Sequence, residues 1–284
     1  MNDEMHTVRG ALLQALLAAA RTDERIAGVI DYGSSSEGRG DAWSDLDLAL
    51  FIRDADLSAF GREWKHWAAQ FGPLLLAYVG GIGHPWTVYD TRPLPLRVDF
   101  TFHPASAVDI MLGWPNSPVS VASMVLYDGT GGAITSRAVQ LVGRSLAPAD
   151  PRQSFEQVGG DIWYFLLRTW SKLQRGQEWA AYYDFNHILL GNLMALLRLE
   201  SGATERWLSS SSALQIEQAI APERLDALNG CRIERHGGSV APAMLAAARL
   251  AYQASAALAD RQGWPWPQPL ADRVLALLEA EEPF

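Results

Sequence analysis

The chain has 284 residues, of which 49% are hydrophobic and 19% are charged, and its net charge is −9. This composition is typical of a folded protein with one large or two ordinary domains and excludes extensive disorder. The acidic balance argues against a broad nucleic-acid-binding surface, which needs clustered lysine and arginine, and suits a small cationic partner better.

Cysteine content and hydropathy indicate where in the cell the protein is expected. Cys231 is the only cysteine, so an internal disulfide and a multi-cysteine zinc site are excluded. The N-terminal region has no basic lead followed by a signal-like hydrophobic core, and the apolar run at residues 12–20 is too short to span a bilayer. We therefore expect a cytoplasmic protein with no membrane partner.

The first half of the chain alternates helical and strand patterns, which predicts a mixed sheet with flanking helices. Helices are predicted at residues 3–20 and 57–71, with the start of a short helix at 35–40. Strands are predicted at residues 26–32, 45–52, 74–80, 85–89 and 96–103, and a further apolar run covers 123–127. Glycine-rich turns are predicted at residues 80–83 and 128–132.

The second half has helical periodicity throughout. Helices are predicted at residues 154–175, 180–200, 211–220, 240–262 and 269–281. Pro148 and Pro151 stand where the pattern changes, so we predict a domain boundary there. The predicted fold class is α+β, with a mixed-sheet domain in residues 1–148 and a helical bundle in residues 149–284.

One short segment carries most of the chemical information. A Gly-Ser pair, Gly33-Ser34, is followed after ten residues by Asp45 and Asp47, which lie in an apolar run. Alternate residues of a strand point to the same face, so the two carboxylates are expected side by side. A divalent cation relieves their repulsion, because Mg²⁺ prefers oxygen ligands and takes further ligands from substrate phosphates. The Gly-Ser turn can present backbone N–H groups and a hydroxyl to a phosphate.

This segment resembles the signature of the polymerase-β nucleotidyltransferase superfamily. The finer pattern is similar to the two-domain lincosamide nucleotidyltransferases, which are antibiotic-resistance enzymes. The residues that carry this finer resemblance are Tyr32-Gly33-Ser34, Gly38-x-Gly40-Asp41, Ser44-Asp45 and the Tyr127-Asp128 pair ahead of a glycine-rich turn. The resemblance extends over nearly the whole chain and is weakest in the helical half. It implies a nucleotidyltransferase-fold catalytic domain followed by a substrate-binding helical domain.

Nucleotidyl transfer to a hydroxyl requires a third carboxylate near the first two, since two aspartates are too few to hold two metal ions. Asp99 meets this requirement, because its strand alternates apolar residues with Arg97, Asp99, Thr101 and His103 on the other face. The resemblance implies that Asp99 is the third metal ligand, the general base or both. We predict Mg²⁺, as two ions, bound by Asp45, Asp47 and Asp99, which are also the predicted catalytic residues.

The predicted reaction is attack by a substrate hydroxyl on the α-phosphorus of ATP or another nucleoside triphosphate, with release of pyrophosphate. Residues expected to contact the nucleotide are Gly33, Ser34, Arg39, Ser44 and Lys172. Residues considered for the acceptor pocket are Glu178, Tyr182, Asp184 and His187, none of which has a diagnostic spacing. For each of them, a surface or packing role is the competing interpretation.

Three hypotheses for the acceptor remain at this point. The first is a lincosamide hydroxyl, which the finer motif favours. The second is a hydroxyl of an aminoglycoside, a polycationic substrate that suits the acidic chain. The third is a partner protein, which the chain would modify as a nucleotidyltransferase-fold antitoxin or regulator. The oligomeric state is also open, and a homodimer in which the second subunit completes the acceptor pocket is one alternative.

Overall fold

The structure is a computed structural model that describes residues 2–206, 212–233 and 239–280. The chain separates into two compact units, Met1–Ser145 and Leu146–Phe284. The first combines a sheet with helices and the second is helical, which confirms the predicted α+β fold class. Within the described residues, no helix is long and apolar enough to cross a membrane.

The N-terminal unit is built on a mixed sheet. Its strands are β1 (Ile26–Asp31), β2 (Leu46–Ile52), β3 (Leu74–Val79), β4 (Pro85–Tyr89), β5 (Leu96–Pro104) and β6 (Val125–Asp128). They lie in the order β3-β4-β5-β2-β1-β6. The central pair β2 and β5 is parallel, and the other neighbours are antiparallel.

Helices cover the central strands on both faces, which explains why β1 and β2 are almost entirely apolar and buried. The helices of this unit are α1 (Asn2–Thr22), α2 (Leu57–Ala68), α3 (Val121–Met124) and α4 (Ala133–Leu141). One core includes residues of α1 and α2, with Phe60 and Trp64 among its aromatic members. The second core, on the other face, joins α4 and the 3₁₀ segment Ala105–Gly113 to Ala49 and Phe51 of β2.

The C-terminal unit has its own apolar core. Its helices are α5 (Pro151–Gln174), α6 (Glu178–Asp184), α7 (Leu190–Ser201), α8 (Ile216–Ala219), α9 (Pro222–Asn229), α10 (Ala241–Gln262) and α11 (Gln268–Ala280). The π-helical turn Phe185–Leu189 joins α6 to α7. Asp150 caps α5 by accepting a hydrogen bond from the Gln153 N–H at 3.0 Å, and Pro151 occupies the first turn.

Several predicted elements differ from the observed ones. Residues 35–40 form hydrogen-bonded turns and not a helix, because Ser36 and its neighbours bond to the loop backbone. The run at 123–127 begins as α3 and only then becomes β6, and α4 and α9 were not predicted. In the region predicted as a helix at 211–220, only Ile216–Ala219 is α-helical within the described part. Residues 211 and 281, at the ends of two predicted helices, lie outside the described residues.

Candidate active site and family membership

The parallel pairing of β2 and β5 brings the three aspartates together. Asp47 and Asp99 are direct partners in this pairing, and Asp45 lies just before β2. One carboxylate oxygen from each of the three lies within 4.8 Å of the others. All three side chains are partly buried, so the cluster is reachable from solvent and also partly desolvated.

The cluster is electrostatically strained without a cation. Burial, followed by the charges of Asp45, Asp99 and Asp31, raises the pKa of Asp47 to about 7. Burial and the Asp45 carboxylate also raise the pKa of Asp99, although Arg97 opposes the shift. Asp47 and Asp99 therefore hold a proton more tightly than a free aspartate does, since burial and the neighbouring carboxylates disfavour their ionised forms.

The donor set fits Mg²⁺. Asp45, Asp47 and Asp99 supply hard carboxylate oxygens at mutual distances short enough for shared coordination, and they leave positions for water and phosphate oxygens. Arg97 provides part of the missing positive charge, because its Nη2 lies 2.7 Å from Oδ2 of Asp45.

The Gly33-Ser34 turn lies directly against the carboxylates. A Cβ atom on Gly33 would lie 2.0 Å from Oδ2 of Asp47, so only glycine fits between the turn and this side chain. Asp31, which is buried, accepts a hydrogen bond from the Gly33 N–H at 2.8 Å. The buried Ser36 hydroxyl donates to the Gly33 carbonyl at 2.7 Å. The turn is therefore held by side chains on both sides.

Ser34 and Ser44 belong to one hydrogen-bonded group. Their hydroxyl oxygens are 3.3 Å apart, and the Ser44 hydroxyl donates to Oδ1 of Asp41 at 2.9 Å. Asp41 also accepts from the Trp43 N–H at 2.9 Å. Asp41 therefore stabilises the loop, and Ser44 connects the loop to the predicted phosphate-binding hydroxyl of Ser34.

Arg39 lies in the same loop but pairs with Glu37. Its Nε donates to Oε2 of Glu37 at 3.0 Å, and Oε1 of Glu37 accepts from the Ser117 N–H at 3.1 Å. The Arg39 guanidinium is partly exposed. Contact with a triphosphate stays a prediction for this residue.

Arg9 of α1 is a further residue of this region, which the sequence does not indicate. Its Nε donates to the Asp45 backbone carbonyl at 3.1 Å, and its Nη2 donates to the Ser35 hydroxyl. Arg9 thus ties the loop after Gly33-Ser34 to the start of β2. No local pattern indicates this role, because the partners are 26 and 36 residues away along the chain.

Asp128, the second residue of the Tyr127-Asp128 pair, has a structural role in this fold. Both carboxylate oxygens of Asp128 accept hydrogen bonds, from the backbone N–H and hydroxyl groups of Thr130 and Thr135 at 2.5–2.9 Å. Burial acts to raise the pKa of Asp128, but these hydrogen bonds outweigh it and lower the pKa to about 2. Asp128 therefore fixes the glycine-rich turn and the first turn of α4.

The candidate residues of the C-terminal unit have different environments. Asp184 is buried, and its Oδ2 lies 2.6 Å from Nζ of Lys172 and 3.1 Å from Nε of Arg168. His187 is exposed and stacks on Tyr183 with ring centroids 4.3 Å apart. Two further candidates, Glu178 and Tyr182, are exposed on α6.

Comparison with known families adds a decisive observation. Residues 7–280 match the model of a family described as streptomycin adenylyltransferase. The chain belongs to this family. Membership confirms the prediction of a nucleotidyltransferase of the antibiotic-resistance type, and no curated protein sequence matches the chain.

Two solved structures resemble this member of the streptomycin adenylyltransferase family at low sequence identity. One is an aminoglycoside 6-adenyltransferase from Bacillus subtilis, with 13% identity, 96% coverage of both chains and a TM-score of 0.44. The other is a nucleotidyltransferase-like protein from Exiguobacterium sibiricum, with 12% identity, a TM-score of 0.38, and coverage of 96% of this chain and 89% of that one.

The family match also bears on the acceptor hypotheses. The finer sequence motif favoured a lincosamide, whereas streptomycin, which names the matched family, is an aminoglycoside. The aminoglycoside alternative therefore has better support than the lincosamide hypothesis.

Proposed function

We propose that the protein transfers AMP from ATP to a hydroxyl of an aminoglycoside, with Mg²⁺ as the metal and pyrophosphate as the second product. The observation that carries this proposal is the cluster of Asp45, Asp47 and Asp99 beside the Gly33-Ser34 turn. The chain that contains this cluster belongs to the streptomycin adenylyltransferase family, which supports the same reaction.

Residues of the N-terminal unit have separate roles in the proposed reaction. The Ser34 hydroxyl and backbone N–H bind the β- and γ-phosphates and orient the leaving pyrophosphate, while the Gly33 N–H, which donates to Asp31, holds the turn in place. Asp45, Asp47 and Asp99 hold the metal. When bound, Mg²⁺ neutralises the developing phosphate charge and lowers the pKa of the attacking hydroxyl. Asp99 accepts the proton of that hydroxyl, because its carboxylate lies within 4.8 Å of the other two and therefore beside the reacting groups.

The acidic character of the chain supports a cationic acceptor. Aminoglycosides carry several ammonium groups, and a net charge of −9 favours their approach. On the C-terminal unit, Glu178, Tyr182 and His187 are exposed and are proposed to contact the acceptor. Asp184 and Lys172, which we expected to bind acceptor and triphosphate, form a mostly buried ion pair, and we assign this pair to the stability of the unit.

The test is a turnover assay with purified protein. The protein is incubated with Mg²⁺, ATP and one of a panel of aminoglycosides or lincosamides, and pyrophosphate release and the mass of the modified antibiotic are followed. We expect AMP transfer to at least one aminoglycoside, no transfer to lincosamides, and no transfer when Mg²⁺ is removed with a chelator. Transfer to a lincosamide alone, or to neither class, would contradict the proposal.

A further inference from the structure

Four side chains form a single row across the N-terminal sheet. Asp47 of β2 pairs with Asp99 of β5, Asp99 pairs with Trp86 of β4, and Trp86 pairs with Tyr78 of β3. Directly paired residues share a face of the sheet, and neighbouring strands are about 4.8 Å apart. Two aromatic rings therefore continue the line of the carboxylates toward the β3 edge.

The Trp86 ring is held in place by the turn that follows β3. A Cβ atom on Gly80 would lie 2.5 Å from Cε3 and Cζ3 of Trp86, so the indole packs directly on the glycine backbone. Tyr78 meets the indole edge-on, with ring centroids 5.7 Å apart and an interplanar angle of 76°. The Gly80 N–H donates to the His84 carbonyl at 2.8 Å, which closes the turn.

This part of the sheet face is open, unlike the part next to β1. Tyr78 is 39% exposed and its neighbour Leu76 is 47% exposed. On β2, by contrast, Ala49 and Phe51 point to the same face as Asp47 and are fully buried in the second core. The exposed aromatic surface thus begins where the carboxylate cluster ends.

The strand order indicates which substrate lies on these rings. The Gly33-Ser34 turn follows β1, on the opposite side of β2 from β5 and β4. In phosphoryl transfer the attacking and leaving oxygens are roughly in line. If the turn holds the leaving pyrophosphate, the attacking hydroxyl approaches from the side of Asp99 and Trp86.

We propose that Trp86 and Tyr78 form the acceptor platform of the enzyme, on which an amine-bearing sugar ring of the acceptor stacks while its hydroxyl reaches Asp99. This inference rests on the proposed function. Aromatic faces bind the apolar faces of rings and attract ammonium groups. The platform reaches about 10 Å from β5 to β3, which is enough for two linked sugar rings.

The experiment is steady-state kinetics with each substrate varied in turn, using an aminoglycoside that the wild-type enzyme modifies. In Trp86→Leu we expect the KM for the aminoglycoside to rise about tenfold, with the KM for ATP unchanged. Trp86→Phe keeps an aromatic face and is expected to restore most of the affinity. The unchanged KM for ATP also reports that each variant is folded.

Glycine variants in the turn provide a matched pair. Gly80→Ala pushes against the indole and is expected to raise the aminoglycoside KM, although residue 80 need not touch the acceptor. Gly81→Ala adds a methyl group with nothing within 4 Å and is expected to behave as the wild type.

The possible results distinguish a failure of the aromatic platform from a failure of the proposed function. An unchanged aminoglycoside KM in Trp86→Leu and Gly80→Ala, or an increase in the KM for ATP instead, would overturn the platform and leave the proposed function standing. The second of these results would assign the rings to the nucleotide base. Absence of turnover by the wild-type enzyme with every aminoglycoside would overturn the proposed function and this inference together.

Discussion

Gly33 and Asp47 are so close that a Cβ atom on the glycine would lie 2.0 Å from the carboxylate oxygen Oδ2 and 2.7 Å from the aspartate Cβ. The turn proposed to bind phosphate and the strand proposed to bind the metal are therefore in direct contact. The Tyr32 N–H reinforces this contact by donating to the Asp47 carbonyl at 3.0 Å. The turn and the carboxylate cannot move independently, which would keep the proposed phosphate and metal positions in a fixed relation.

Gly33→Ala tests this relation. The added methyl group must displace the Asp47 carboxylate or the turn, and we expect kcat/KM for AMP transfer to fall at least about a hundredfold. The control is Gly10→Ala in the exposed part of α1, where nothing lies within 4 Å of the new methyl group. Full activity in Gly33→Ala would show that the close contact has no role in the reaction.

Asp47→Asn is expected to separate activity from stability. The variant loses one of the three proposed metal ligands, so AMP transfer should fall at least about a hundredfold. It also loses a charge that the folded state disfavours, because burial and the neighbouring carboxylates raise the pKa of Asp47 from 3.8 to about 7. In metal-free buffer the variant should therefore be at least as stable as the wild type.

The sign of this effect depends on pH. The favourable contribution of the protonated Asp47 is fully present below pH 3.8 and is lost as the pH rises through about 7. The Tm of Asp47→Asn minus that of the wild type should increase across this interval. Mg²⁺ at pH 8 should raise the Tm of the wild type more than that of the variant. A constant Tm difference from pH 4 to pH 8 would contradict the assigned repulsion.

Asp128→Asn is expected to weaken the turn before α4 without changing the reacting groups. The amide NH2 group that replaces Oδ2 cannot accept the hydrogen bonds that this oxygen receives from the Thr135 N–H and hydroxyl, and we expect a loss of about 1 kcal/mol in the free energy of unfolding. The folded-state pKa of Asp128 is lowered from 3.8 to about 2. The extra stability of the wild type over the variant is therefore present above pH 4 and disappears as the pH falls through about 2. Urea unfolding at several pH values measures this difference.

A double-mutant cycle on Lys172 and Asp184 tests their assignment to stability. The Asp184 side chain is 2% exposed, so Asp184→Asn leaves the Lys172 ammonium partly buried without its nearest carboxylate and should cost about 3 kcal/mol or more. Lys172→Met should also lower the free energy of unfolding. The double variant should lose less stability than the two single variants together. Additive losses of stability would contradict the assigned ion pair. An aminoglycoside KM that rises selectively in Asp184→Asn would favour the prediction from sequence that Asp184 contacts the acceptor.

The sequence predicts the central chemistry better than its surroundings. The pairing of β2 with β5 brings Asp45, Asp47 and Asp99 together, but the residues themselves are found from strand alternation and the need for a third carboxylate. Arg9 and the Trp86–Tyr78 row are not, because their positions depend on helix packing and on the register between distant strands. The turn at residues 35–40 was wrongly predicted as the start of a helix, because its Ser-rich sequence suits both local structures.

The most direct test of the account is the transfer of AMP by Asp99→Asn, measured as pyrophosphate release with saturating ATP, Mg²⁺ and an aminoglycoside that the wild-type enzyme modifies. The proposed three-carboxylate site predicts a loss of at least about a hundredfold in kcat, in a variant whose thermal unfolding remains cooperative. A kcat within a few-fold of the wild-type value would contradict the role of Asp99 and the site built around it.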